Sequence, residues 1–224
     1  FCRMILLQLK NRIIEDKDWT FIVFVLVLLL IVFIKSSFEK RFYDFTRIII
    51  SDKYLRTYKD SSNLLTPFTI LVFIVNVFSF ALFIQLLAHV NGICNKTDWV
   101  FFVRSFSFLM VFILIKFLLE KIVATIFGIE DVVDEYNLSK VNFRTYMGLV
   151  LLPISIVMFY NAAILEVLVV PVAYILLILN ALTYGITMVR YQNNIIDKLF
   201  YFILYLCTFE IAPYYFIYYL IIKN

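Results

Sequence analysis

The stretch LFYFILYLCTFEIAPYYFIYYLII, Leu199 to Ile222, decides what kind of protein this is. It is long enough to cross a bilayer as one helix, for which about 20 apolar residues suffice. Lys198 and Lys223 bracket it, and one carboxylate, Glu210, interrupts it near the midpoint. A charge at that depth costs at least about 2.5–3.5 kcal/mol, so Glu210 is expected to face protein or a wet cavity. Pro213 has no N–H to give the Phe209 carbonyl, which frees that oxygen beside the carboxyl group and predicts a kink.

The rest of the chain agrees with this start. Of its 224 residues, 64% are hydrophobic and 19% aromatic, against about 45–50% apolar in a soluble domain. The apolar runs are continuous rather than alternating, which predicts helices and not a barrel. The fold class expected is therefore all-α, a multi-pass transmembrane bundle of six spans with amphipathic surface helices. The net charge of +4 fits basic loops on one side of a membrane better than nucleic-acid binding. Cys2, Cys94 and Cys207 show no CxxC spacing, and His89 is the sole histidine. Neither a disulfide framework nor a histidine-based metal site is expected, and no cofactor is implied.

In chain order, residues 1–18 read as a tail or a short interfacial helix, and 19–224 as one transmembrane domain. The spans expected are 19–34, 64–90, 99–127, 146–160, 167–188 and 199–222. Trp19 suits a membrane interface. In the charged segment 36–60, Phe38, Phe42, Phe45 and Ile49 recur at helical spacing, which predicts a helix lying flat on the membrane, as an anchor or against anionic lipid. Pro67 falls in the first turn of the second span, where proline is tolerated. Asn76 and Gln85 in that span are expected to bond across helices.

The third span carries Arg104 inside it and Lys116, Glu120 and Lys121 towards its end. Lys116 and Glu120 are four apart and share a face. This end is expected to overshoot the membrane into headgroups or water. The acidic stretch 128–142 reads as a short, solvated amphipathic helix. Pro153 and Pro171 predict kinks in the fourth and fifth spans, which residues 161–166 join as a hairpin.

With six spans, the loops on one side carry eleven Lys/Arg against six on the other. The positive-inside rule puts the first side in the cytoplasm and both termini outside it. From Lys198, Glu210 lies about 18 Å deep, which leaves about 12 Å of a core about 30 Å thick. Arg104 enters from the opposite face to about 8 Å. An intramembrane Arg104–Glu210 contact is expected, either as a pin between helices or as a proton or ion relay. The alternative has Arg104 snorkelling outward and Glu210 protonated. Tyr214, Tyr215, Tyr218 and Tyr219 form either an aromatic interface belt or a surface for a partner.

The segments DKDW, FYDFTRIIISDKYL, KFLLEKIVATIFGIE, FRTYMGLVLLP and FYFILYLCTFEIAP resemble those of a family of Bacteroidota inner-membrane proteins known as DUF4271. The resemblance implies a host group and a compartment, the bacterial inner membrane, but no activity. No Walker loop, zinc-protease motif or dinucleotide fingerprint is present, and no catalytic set stands out. The function expected is a non-catalytic integral subunit of a cell-envelope complex, a scaffold or accessory factor in the sphere of secretion or protein export. Its partners would be the bilayer and other membrane subunits. The alternatives are a small proton- or ion-coupled transporter using Glu210 and Arg104, and a lipid-modifying enzyme.

Overall fold

The computed structural model describes residues 18–46, 66–128 and 130–195. Among these all the regular structure is helical: α1 Asp18–Ser37, α2 Glu39–Thr46, α3 Pro67–Val90, α4 Trp99–Phe127, α5 Glu130–Tyr160 and α6 Ala162–Ile195. Four of these helices are long and apolar enough to cross a membrane, through Trp19–Ser37, Pro67–Val90, Asn137–Tyr160 and Ala163–Thr183. The third expected span forms α4, whose apolar run is interrupted by Arg104, Lys116, Glu120 and Lys121; it stands outside those four. The sixth expected span, 199–222, and the N-terminal segment up to residue 17 lie outside the described residues.

α3 is the central helix. It starts on Thr66, whose side chain accepts from the Thr69 N–H, and on Pro67 at the first helical position. Its buried residues lie on several faces, among them Phe68, Val72, Ala81, Leu82 and Leu86. One apolar core joins α3 to residues from every other helix, including Phe24 and Val27 of α1, Phe102 of α4, Leu152 and Phe159 of α5, and Val169 of α6. α1 is apolar all round, yet it buries only one stripe, Thr20, Val23, Phe24, Val27 and Ile34, at helical spacing.

Two expectations change here. The short helix expected over 128–142 is continuous with the fourth span, so α5 is one helix from Glu130 to Tyr160. The solvated reading rests on Glu130, Asp131, Asp134 and Glu135 in its first turns; further along, Lys140 and Asn142 are buried. The hairpin between α5 and α6 needs one residue, Asn161, and not six. Pro153 and Pro171 both sit inside unbroken helices.

The aromatic face of α2 turns to protein rather than to a membrane surface. Phe38 and Phe45 meet Phe68 of α3 at ring distances of 5.8 and 5.9 Å, and Phe45 reaches Tyr146 of α5 at 6.3 Å. Ile49 and the remainder of the 36–60 segment beyond Thr46 lie outside the described residues.

α3 and α5 cross where Gly148 faces Asn76. A Cβ on Gly148 would overlap Asn76 Oδ1 and come within 3.2 Å of the Asn76 Cα. The close approach therefore requires glycine. Gly148→Ala is expected to lower stability by about 1–3 kcal/mol, as overpacking does. Trimming Asn76 to alanine in the same chain should recover part of that loss, read as the unfolding midpoint of the detergent-solubilised protein.

Candidate functional site

The two ends of the bundle differ in chemistry. At one end the 91–98 loop is tied down by its neighbours. The Trp19 indole N–H donates to the Thr97 carbonyl at 3.0 Å, and the Trp19 and Trp99 rings meet edge to face at 5.0 Å. The Gln85 amide donates to the carbonyls of Lys96 and Asp98 at 3.0 and 3.1 Å. Gln85 therefore holds a loop, not another helix as the sequence suggests. The Lys96 ammonium sits 4.9 Å over the Phe159 ring. Burial pushes the Cys94 thiol up in pKa, with the Asp98 charge adding to it.

The other end holds the charges. Asp98 caps α4, accepting from the N–H groups of Val100 and Phe101 at 3.0 and 3.1 Å. From that cap Glu120 lies about 32 Å along the helix, close to the thickness of a hydrocarbon core, about 30 Å. α4 ends on Gly128 in the left-handed conformation, φ 61°, which reverses the chain. α5 then runs back along α4 and brings Lys140 to Glu120. The Lys140 ammonium donates to both carboxylate oxygens at 3.0 and 3.3 Å. Lys116, one turn before Glu120, comes within 3.9 Å of the same carboxylate. All three side chains are buried, Glu120 at 2% exposure.

A cavity of about 300 Å³ opens beside this cluster between α3, α4 and α5. Its polar wall is Lys116, Glu120, Asn137, Lys140, Arg144 and Thr145, and Asn76 lies deeper. The amide oxygens of Asn76 and Asn137 are fully buried and make no hydrogen bond. The remaining wall is apolar, including Phe73, Ile113 and Leu114.

The expected Lys116–Glu120 pairing is present, and the face of α4 that carries it is covered by protein, while Leu118, Leu119, Ile122 and Ile126 on its other faces are exposed. The cover is α5, whose early turns pack over that face. Lys121 alone of that trio is exposed. Arg104 is exposed on α4. Its expected partner Glu210 lies outside the described residues, as do Pro213, Tyr214, Tyr215, Tyr218 and Tyr219. Sequence reasoning missed Lys140, Arg144 and Asn137. The spacing of Lys140 and Arg144, four apart on one helical face, was the available signal.

Removing one partner of a buried ion pair strands the other charge in a low-dielectric site. Glu120→Gln is expected to lower the unfolding free energy by about 3 kcal/mol. Adding Lys140→Gln should restore at least half of that loss, measured as a double-mutant cycle by denaturant titration.

A family model described as a domain of unknown function, DUF4271, matches residues 20–221. No curated protein and no solved structure gives a match.

Proposed function

The chain belongs to the DUF4271 family, and we propose that it is a non-catalytic integral subunit of a cell-envelope complex, a scaffold or accessory factor in secretion or protein export. The topology proposed with it has six crossings of a Bacteroidota inner membrane, α4 and residues 199–222 included, with both termini periplasmic. The observation that carries the reading is the Lys140–Glu120 pair at 3.0 Å. It ties α4 to α5 through groups buried in protein, which suits a rigid frame better than a moving gate. α6 supports it: only 11% of Ala163–Thr183 is buried, and Tyr174, Leu177 and Ile178 are exposed. That leaves a broad apolar face for lipid or for neighbouring subunits.

Purification of the tagged full chain in mild detergent tests the function. Stoichiometric membrane proteins should accompany it. A lone species that supports pH-dependent ion flux in liposomes would replace the subunit reading with transport.

The topology has its own test at Cys94, in a chain with Cys2 and Cys207 replaced by serine. A membrane-impermeant maleimide should label Cys94 from the periplasmic side. Because the thiol pKa is raised and the thiolate is the reactive form, labelling should be slow at neutral pH and faster as the pH rises. Labelling only after the inner membrane is opened would invert the assignment.

A further inference from the structure

The cavity between α3, α4 and α5 is walled mostly by apolar groups, with a few charged side chains among them. The charged groups Lys116, Glu120, Lys140 and Arg144 line it together with Asn137, about 26–32 Å along α4 from Trp99 for Lys116 and Glu120. That is where a headgroup layer would lie if the tryptophan end marks the opposite interface. Towards the middle of the bundle the wall becomes Phe73, Ile113 and Leu114.

The charged side chains of the lining are Lys116, Glu120, Lys140 and Arg144. Glu120 engages Lys140 and lies near Lys116. Arg144 forms no ion pair among the described residues and is only half-buried, so its guanidinium is available to an anion. Phosphate suits that fork well. The buried Asn137 oxygen lacks a donor, so a ligand hydroxyl beside the phosphate would satisfy it. A cavity of about 300 Å³ is at the lower end of small-ligand sites, enough for a headgroup and the start of one chain.

We propose that this cavity binds an anionic, hydroxylated phospholipid. Its phosphate sits against Arg144, beside the Lys116–Glu120–Lys140 cluster, a headgroup hydroxyl donates to Asn137, and an acyl chain runs along Phe73, Ile113 and Leu114. Basic pockets between membrane helices are established places for such headgroups. The inference goes beyond the subunit reading and does not depend on it, because lipid binding is read on the isolated chain.

The test is native mass spectrometry of the full chain in detergent micelles doped with equal amounts of phosphatidylglycerol and phosphatidylcholine. Phosphatidylglycerol should be retained at least about tenfold better, because phosphatidylcholine offers the same phosphate but adds a cation beside Arg144 and has no headgroup hydroxyl for Asn137. Arg144→Gln should remove most of that preference while the melting temperature stays within a few degrees. Ile113→Trp, which fills the apolar wall and leaves every charge in place, should reduce retention of the lipid. Equal retention of the two lipids, or an undiminished preference in both variants, would overturn the proposal. Displacement of phosphatidylglycerol by equimolar inorganic phosphate would also overturn it, since the site would then take a free anion.

Discussion

A carboxylate buried among helices must find a cation, and in this protein the cation comes from the next helix. Glu120 and Lys140 stand twenty residues apart with a glycine reversal between them. Burying either charge alone is costly, because a protein interior solvates ions poorly. The pair need not add net stability over two apolar residues of similar size. What it does fix is register: α4 and α5 can slide only by separating the ammonium from both oxygens, at 3.0 and 3.3 Å. Gly128, in its left-handed conformation, makes the return possible.

α3 depends on the same register. Its middle is gripped by α5 where Gly148 accepts Asn76, and its C-terminal end is gripped by the loop that Gln85 and His89 hold through backbone carbonyls. Phe68, at its other end, receives the aromatic face of α2. The central helix is thus clamped at three levels by different means: aromatic packing, a close backbone approach and hydrogen bonds. The cavity lies between the first two, where α3, α4 and α5 do not fill the space between them.

Much of this was legible in the chain. Pro67 marked a helix start, and the spacing of Lys116 and Glu120 announced their shared face. Phe38, Phe42 and Phe45 announced an aromatic stripe, though not that Phe68 and Tyr146 would receive it. What failed was the beginning of α5. Hydropathy scores Lys140 as a residue that wants water, and it cannot know that Glu120 supplies a partner from another helix. The same blindness applies to α1 and to residues 163–183 of α6, which are almost entirely apolar. Periodicity has nothing to grip there, and only packing reveals that Val27 and Val169 face inward. Gln85 was rightly singled out as a polar residue seeking a partner, but its partner is a loop carbonyl, which carries no side-chain signature.

The one-residue joint at Asn161 has a further mechanical meaning. α5 ends at Tyr160 and α6 begins at Ala162, and the Asn161 side chain accepts from the Ile164 N–H at 3.3 Å, closing the start of the second helix. A joint that short has no slack. Neither helix can piston along its axis without dragging the other, so relative movement is confined to rocking about the tip.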